Sequence, residues 1–354
     1  MIACFLVLVQ PFCSFAEGTG LFGDGRLTLY ANHESKSQSL SCIIETGEGG
    51  LIVIDGGWNI NSEFLLKQIQ AKGGHVQAWL LTHPDSDHVG AITSILNHHR
   101  QDITIDGIYC SFLDDDWYEQ YCDQGCQQTV YALKDALSRM PEDVVHDDIE
   151  AGQIIEAGPA TIQVLNSAYA FEKNTSNNSS VVYLVSLNGT NVVFLGDLGE
   201  EGGRQLMEDV DLASLNCDIV QAAHHGQNGV DFEFYKELYP RIALFPTPKW
   251  LWNNDAGYGP NSGGWATKET RDWMARLCIK IYCTKMVIRC LNKMLGAKAF
   301  DPGILNNCYI KKHMRNGIIY FHHSHVFFIL MHFLFYTVFL MVSTKFLFAM
   351  TVSK

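Results

Sequence analysis

The segment of this chain best suited to chemistry is a run of four metal-ligand side chains within six residues. Residues 83–88 read His-Pro-Asp-Ser-Asp-His, so imidazoles and carboxylates alternate with residues that do not bind metals. Burying four such side chains without partners costs free energy, because each loses its hydration. A divalent metal ion compensates for that loss, since both ligand types bind such ions well. The segment therefore predicts a metal site that contains His83, Asp85, Asp87 and His88.

Three later segments and one earlier residue add ligand types at the ends of apolar runs. Residues 178–182 read Asn-Ser-Ser-Val-Val, residues 194–197 read Phe-Leu-Gly-Asp, and residues 222–226 read Ala-Ala-His-His-Gly. Upstream, Asp55 directly follows the apolar run Leu-Ile-Val-Ile.

The elements that must position these groups are short strands with helices between them. Apolar runs and alternating patterns predict strands, and apolar spacing of three and four residues predicts helices. The predicted strands are residues 26–32, 41–45, 51–54, 78–81, 103–109, 161–165, 181–187, 191–195, 218–222 and 242–245, and the predicted helices are residues 62–71, 89–98, 129–139, 202–209 and 232–238. Strands with interspersed helices, some of them linked as hairpins, predict an α/β fold, namely an αββα sandwich.

These motifs resemble those of the metallo-β-lactamase superfamily. Its HxHxDH signature is similar to residues 83–88, with Asp85 in place of the second His. Residues 83–90 resemble more closely the HPDxDHxG form in the hydrolase domain of the bacterial DNA-uptake competence protein. The later segments resemble the N-x-S-x-V strand, the Gly-Asp strand end and the His-His-Gly of the family, in the same order. The resemblance implies a hydrolase domain, which we place at residues 26–283.

The resemblance also implies two divalent metal ions, with zinc preferred and manganese as the alternative. His83 and Asp85 would bind one ion, Asp87 and His88 would bind the other, and Asp197 would bridge them. The full set of implied metal ligands is His83, Asp85, Asp87, His88, Asp197 and His225. His225 would complete the second site because the family ligand directly precedes the glycine.

Three further residues are expected to assist these ligands. His224 is interpreted as a group that contacts substrate or transfers a proton, with the alternative that it replaces His225 as the ligand. Asp55 and Thr82 are expected to hold the ligand loop by hydrogen bonds rather than to bind metal.

The sequence departs from the family at one ligand. Many members supply another histidine to the first metal, but the corresponding region here offers Asn177, Asn178 and Ser179. His146 is the only histidine between residues 100 and 223, and its neighbours indicate an exposed turn. The first metal is therefore expected to have few protein ligands, and its carboxylate content leaves room for manganese beside zinc.

The implied activity is hydrolysis of a phosphodiester, with a metal-bound hydroxide as the nucleophile. Asp87 would orient that nucleophile as well as bind metal, and His224 would protonate the leaving group. Three alternatives remain: a nuclease like the competence-protein domain, a β-lactam or lactone hydrolase, and a degenerate metal-binding module without activity. Asp85 and the missing histidine disfavour the β-lactam alternative.

Charge and aromatic residues bear on the partner. Residues 1–277 hold 15 basic and 37 acidic residues, which disfavours nucleic acid because phosphate binding needs a basic face. Residues 111–128 are acidic and aromatic and are interpreted as an insertion or lid. Aromatic residues also follow at Trp250, Trp252 and Tyr258, in a predicted loop after the last core strand. Aromatic faces beside carboxylates would suit a cationic head group such as choline, with a solvated acidic loop as the alternative.

The two ends of the chain differ from its body. Residues 1–20 are interpreted as a signal peptide, with an ordinary buried strand as the alternative. Residues 284–354 form a basic and then hydrophobic tail, interpreted either as a membrane anchor, through Val326–Ser343, or as non-native sequence. An extracytoplasmic location is favoured over a cytoplasmic one. In an exported protein, Cys110 would be able to form a disulfide with Cys122 or Cys126.

Overall fold

Strands and helices alternate along the part of the chain that the structure, a computed structural model, describes, residues 25–32 and 34–284. The strands form two seven-stranded sheets. The first sheet contains β1 (Arg26–Leu29), β2 (Ser41–Glu45), β3 (Leu51–Asp55), β4 (His75–Leu80), β5 (Thr104–Ile105), β6 (Ile108–Tyr109) and β7 (Val145–His146). Its order is β1-β2-β3-β4-β6-β7, and β5 pairs with β4. It opens as an antiparallel meander and becomes parallel from β3 onwards.

The second sheet has the same mixed character. It contains β8 (Ile154–Ala157), β9 (Ala160–Val164), β10 (Tyr183–Leu187), β11 (Thr190–Phe194), β12 (Ile219–Gln221), β13 (Ile242–Phe245) and β14 (Lys280–Cys283). Its order is β14-β13-β12-β11-β10-β9-β8. Strands β8 to β11 pair antiparallel, and β11 to β14 pair parallel.

Nine α-helices occur in the described residues. They are α1 (Ser62–Ala71), α2 (Ser86–His98), α3 (Asp115–Tyr121), α4 (Gln124–Leu137), α5 (Thr175–Asn178), α6 (Glu200–Asp209), α7 (Phe232–Leu238), α8 (Lys249–Trp252) and α9 (Thr267–Arg276). Helices α1, α2 and α4 cover the outer face of the first sheet, because their apolar residues join one core cluster with it. Helices α6, α7 and α9 cover the second sheet in the same way.

A third apolar cluster lies between the sheets. It combines residues such as Ile54 and Leu80 of the first sheet with Ile162 and Phe194 of the second, all completely buried. The described chain is therefore an αββα sandwich, as the sequence predicts, with helices outside and two sheets inside. Crossover connections between parallel strands place helices on the sheet faces, so the loops at the strand ends can carry functional side chains.

Several predicted elements differ from the structure. Helix α2 begins at Ser86 rather than Val89, with Asp85 in extended backbone just before it. The predicted strand at residues 103–109 divides into β5 and β6. The predicted acidic lid contains α3 and the first turn of α4, where the Asp123 side chain accepts a hydrogen bond from the Cys126 amide and so starts the helix earlier than the apolar spacing shows.

Two further interpretations of local structure were wrong. His146 is not in an exposed turn: it ends β7, is half-buried, and stacks on Tyr109 with ring centroids 4.7 Å apart. Lys249–Trp252 forms α8 rather than a loop, and β13 is followed by one more strand.

Some sequence predictions fall outside the described residues. The signal-peptide segment at residues 1–20 and the apolar run Val326–Ser343 both lie there. Among residues 25–32 and 34–284, no helix has the length and apolar character that crossing a membrane requires.

The two-sided burial of the sheets gives a testable expectation. Ile162 is fully buried between the sheets, so Ile162→Ala should lower the free energy of unfolding by about 2–5 kcal/mol through the cavity it leaves. Ile154, on the neighbouring strand, is 54% exposed, so Ile154→Ala should change it by less than about 0.5 kcal/mol. Urea unfolding followed by tryptophan fluorescence measures both, and equal losses would contradict the packing described.

Candidate metal centre

The centre begins with the carboxylate of Asp55 at the end of β3. Asp55 is fully buried, and its backbone is left-handed, with φ at 51°. Its Oδ1 accepts a hydrogen bond from the Thr82 amide at 2.8 Å, and its Oδ2 accepts one from the Thr82 hydroxyl at 2.7 Å. Oδ2 also lies 2.7 Å from His88 Nδ1. Asp55 therefore ties the end of β3 to the loop after β4 and to α2.

These contacts set which nitrogen each histidine turns inward. Because His88 donates its Nδ1–H to Asp55, its Nε2 faces the centre. Thr82 uses its hydroxyl proton on Asp55, so its oxygen accepts from His83 Nδ1 at 3.1 Å. His225 Nδ1 lies 3.1 Å from the carbonyl oxygen of Pro246. All three imidazoles are thereby oriented to present Nε2, which is the arrangement that metal-binding histidines adopt.

Four buried side chains converge on one point. Ligand atoms of Asp87, His88, Asp197 and His225 all lie within 4.8 Å of one another. His225 Nε2 is 3.1 Å from Asp87 Oδ2 and 3.3 Å from Asp197 Oδ2. His88 Nε2 is 3.2 Å from Asp197 Oδ1, in a geometry that makes no hydrogen bond. Two imidazoles and two carboxylates at these distances suit a divalent cation such as zinc or manganese.

His83 and Asp85 lie beside this cluster in a looser arrangement. His83 Nε2 is 3.5 Å from Asp85 Oδ2 and 4.0 Å from Asp197 Oδ2. The same nitrogen is fully buried and has no hydrogen-bond partner, which is costly unless a cation or water binds it. Asp85 Oδ1 accepts a hydrogen bond from the hydroxyl of Ser176. These residues would hold the first of the two ions expected from the sequence, beside the four-residue cluster.

The two neighbouring histidines of the His-His-Gly segment have different places. His225 is buried in the four-residue cluster, whereas His224 is 21% exposed, with Nε2 3.9 Å from Asp197 Oδ2. Both have left-handed backbones, with φ at 49° and 54°. Strained backbone of this kind persists where surrounding contacts enforce it. Here the Thr247 hydroxyl donates to the His225 carbonyl at 2.5 Å, and the His224 amide donates to the Gly196 carbonyl at 3.1 Å.

The loop that carries Asp197 depends on one glycine. Gly196 has φ at +56°, and a Cβ there would lie 2.7 Å from the Cβ of Thr82. Glycine therefore lets the second sheet approach the ligand loop of the first. The Ser180 hydroxyl accepts a hydrogen bond from the Asp197 amide at 3.1 Å. The Gln221 side chain binds the Leu195 amide at 2.9 Å and the Gly196 carbonyl at 2.9 Å.

Some of these supporting residues, such as Ser176 and Gln221, carry no motif in the sequence. Asn178 and Ser179 lie at or after the end of α5 and are buried, but they serve the fold. The Asn178 carbonyl oxygen accepts from the amides of Gly199 and Gly202, both at 3.1 Å, and so shapes the chain after Asp197. Ser176, which holds Asp85, carried no motif signal. Its hydroxyl reaches a residue 91 positions away, which only the tertiary fold reveals.

The centre opens into a cleft of about 370 Å³. Asp85 and Asp87 line it, and Trp58, Tyr121 and Asn177 are among its other lining residues. The predicted lid does border this cleft, through the end of α3 and the start of α4. No Lys or Arg lines the cleft in the described part of the chain.

Two sequence comparisons relate parts of this chain to known proteins. Residues 36–153 match the family model described as the metallo-beta-lactamase superfamily. ComE operon protein 3 of Bacillus subtilis (strain 168) is 25% identical over 195 residues, which are 54% of this chain and 23% of that protein. The chain thus spans about a quarter of the length of that relative. The chain is therefore similar to the metallo-β-lactamase superfamily over residues 36–153.

Solved structures of this superfamily are similar to the chain at lower identity. The metallo-β-lactamase fold protein YhfI of Bacillus subtilis is 12% identical, with a TM-score of 0.45, over 73% of this chain and 96% of that one. A subclass B3 metallo-β-lactamase from a soil metagenome library is 15% identical, with a TM-score of 0.38, over 58% of this chain and 78% of that one.

In the candidate metal centre, the pKa values are determined mainly by pairing between buried charged groups. Burial lowers the pKa of His225, but the carboxylates of Asp197 and Asp87 outweigh burial and raise it to about 9. Burial likewise lowers the pKa of His88, and Asp197 and Asp55 outweigh it and raise that pKa well above its usual value. Burial raises the pKa of Asp197, but the surrounding histidines lower it well below the usual range.

Protonated His225 makes metal binding depend on pH. With a pKa of about 9, His225 is protonated at neutral pH in the metal-free protein and must lose that proton to bind a cation. Metal binding near neutral pH should therefore release protons, and the apparent affinity should rise as the pH approaches about 9. Calorimetric titration in buffers of different ionisation enthalpy counts the protons. An affinity that stays constant over this range would contradict the assignment of His225 as a ligand.

The role of Asp55 can be tested separately. Asp55→Ala removes the acceptor of three hydrogen bonds, so metal affinity should fall about 10- to 100-fold, as for other partners of metal-binding histidines. Thermal stability should fall as well, because buried donors of Thr82 and His88 lose their partner. Asp106→Ala is the matched control, since Asp106 pairs with His75 at the surface. Bound metal after dialysis should be unchanged in the control, and an equal loss in both variants would refute the role.

Proposed function

We propose that this domain is a metal-dependent hydrolase that cleaves phosphodiesters. The observation that carries the proposal is the buried cluster of Asp87, His88, Asp197 and His225, of which Asp87 lines an open cleft. Burying two carboxylates and two imidazoles within 4.8 Å of one another costs desolvation free energy and does not by itself stabilise a fold. The same four groups are suitable ligands for a divalent cation. His83 and Asp85 supply ligand atoms for a second cation next to it.

A pair of divalent cations held by these residues would lower the pKa of a water and polarise an oxygen of the substrate. The protein itself contributes position and proton transfer. Asp87 lines the cleft and lies 3.1 Å from His225, so its carboxylate is placed to accept a hydrogen bond from the attacking water. This position supports the orienting role expected of Asp87 from the sequence, and the proposed reaction needs no serine or cysteine nucleophile.

His224 is the residue suited to move a proton. Burial lowers its pKa, although Asp197 raises it, so the imidazole is neutral at neutral pH. A neutral imidazole can take a proton from the attacking water and return it to the leaving oxygen. Its partial exposure, in contrast to buried His225, gives it access to the leaving group.

The lining of the cleft favours a small diester over a long polyanion. Three carboxylates, Asp85, Asp87 and Asp123, line it together with the aromatic rings of Trp58 and Tyr121. Nucleic acid binding draws on rows of Lys and Arg that contact phosphates, and none is among the lining residues of the described cleft. Carboxylates and aromatic faces suit a substrate with a neutral or cationic leaving group, such as choline. A nuclease is the second candidate, supported only by the likeness to ComE operon protein 3.

The proposal is tested by hydrolysis of bis-p-nitrophenyl phosphate with zinc and with manganese. The wild-type chain should turn it over, and Asp87→Ala and His83→Ala should abolish turnover while circular dichroism stays unchanged. Asp106→Ala and His75→Ala are matched controls at the surface and should retain activity. Activity retained in either site variant would refute the two-metal arrangement.

Two outcomes separate the alternatives. Cleavage of p-nitrophenyl phosphorylcholine but not of single-stranded DNA supports the small-diester proposal, and the reverse supports the nuclease. Less than one metal per chain, with no turnover of any diester, indicates a degenerate binding module.

A further inference from the structure

Two cysteines border the cleft of the proposed centre and have no role in it. Cys122 follows the last residue of α3, and Cys126 lies in the first turn of α4. Both line the cleft with Asp85 and Asp87, and both are half-buried rather than enclosed. They lie four residues apart across the junction of α3 and α4, and their thiols are close enough to interact.

The pair differs from the buried thiols of the described chain. Cys42 and Cys110 are completely buried in apolar clusters, where oxidants have no access. Cys110 is a thiol packed behind the first sheet, so the disulfide expected from the sequence, between Cys110 and Cys122 or Cys126, is not present. The short loop between α3 and α4 brings the other two together instead.

The thiol pair also contacts a residue that holds a candidate ligand. Ser176 lines the same cleft and interacts with Cys126 through its side chain and with Cys122 through its backbone. The Ser176 hydroxyl in turn donates to Asp85 Oδ1. A chain of contacts therefore runs from the two sulfurs through one hydroxyl to the carboxylate beside His83.

We propose that Cys122 and Cys126 form a reversible dithiol–disulfide site in the wall of the cleft, and that closing it weakens metal binding at Asp85. Closing the disulfide draws Cys126 towards Cys122 and away from Ser176, which then positions Asp85 less firmly. The second half of this proposal rests on the proposed function, since it assumes that Asp85 binds metal.

The chemistry balances with a hydroperoxide as the oxidant. The thiolate of Cys122 attacks the peroxide oxygen, forming a sulfenic acid and releasing an alcohol. The thiol of Cys126 then attacks the sulfenic sulfur, the S–S bond forms, and water leaves. The pKa of Cys122 is lowered by the hydrogen bond with Cys126, which favours the thiolate needed in the first step.

The first test needs neither metal nor substrate. The metal-free full chain is treated with an equimolar amount of diamide, whose N=N bond takes up two electrons and two protons as the disulfide forms. Digestion after Lys and after Glu119 separates Cys110 from the pair. Mass spectrometry should show a Cys122–Cys126 disulfide that dithiothreitol reverses, while exposed Cys278 remains open to maleimide. Equal oxidation of all accessible cysteines, or a pair that stays reduced, would overturn the proposal.

The second test measures coupling to Asp85. Manganese is the probe, because it prefers carboxylate and imidazole ligands and does not report binding to the thiols themselves. The oxidised wild type should hold the more weakly bound manganese about 10-fold less tightly than the reduced protein. Ser176→Ala should bind equally in both redox states, and Cys126→Ser should not respond to diamide, whereas Cys278→Ser should behave as wild type.

The two tests fail in different ways. If the disulfide forms but the reduced and oxidised proteins bind manganese equally, the coupling to Asp85 is wrong. If the disulfide forms and neither form binds manganese, the proposed function fails while the thiol site stands.

Discussion

The buried carboxylate of Asp55 is the interaction on which the centre depends. A carboxylate removed from water is costly unless hydrogen bonds replace its hydration, and Asp55 accepts three, from two groups of Thr82 and from His88. Each of those bonds also fixes a neighbour of the metal centre. His88 is turned so that Nε2 faces inward, and Thr82 does the same for His83 by accepting its Nδ1 proton. One side chain outside the candidate ligand set thus determines the orientation of two candidate ligands.

The ligands come from both sheets, so packing between the sheets sets their separation. Asp87 and His88 follow β4 of the first sheet, whereas Asp197 and His225 follow β11 and β12 of the second. The apolar cluster between the sheets holds these strand ends at a fixed distance. Near the ligand loop, the Tyr183 hydroxyl donates to the Leu81 carbonyl at 2.8 Å and joins the sheets directly. The protein tolerates a buried cluster of charged side chains here because packing between the sheets, away from the cluster, holds those side chains in place.

The sequence predicts the elements and residues that depend on local patterns. It does not reveal the residues whose role depends on contacts with distant parts of the chain. The bounds of β2 and α1 match because alternation and helical spacing are local properties. The residues of the ligand loop are found by type and spacing alone. The start of α4 is missed because it depends on a cap, and Ser176 and Gln221 are missed because polar residues without a motif look like any loop or strand residue. Ser176 acquires its role only when the fold brings it to Asp85.

The geometry makes the two halves of the centre unequal. In the cluster around His225, the imidazole-to-carboxylate distances are 3.1 to 3.3 Å, whereas those around His83 are 3.5 and 4.0 Å. Asp85 also divides its oxygens between His83 and Ser176. Many members of the family have a further histidine for the His83 side of the centre. In the corresponding region of this chain, Asn178 instead accepts a hydrogen bond from the loop after Asp197. Because affinity grows with the number and closeness of ligands, the His225 side should bind its cation first and hold it longer. The His83 side is then the half whose occupancy responds to its surroundings, including the state of the cleft wall above Asp85.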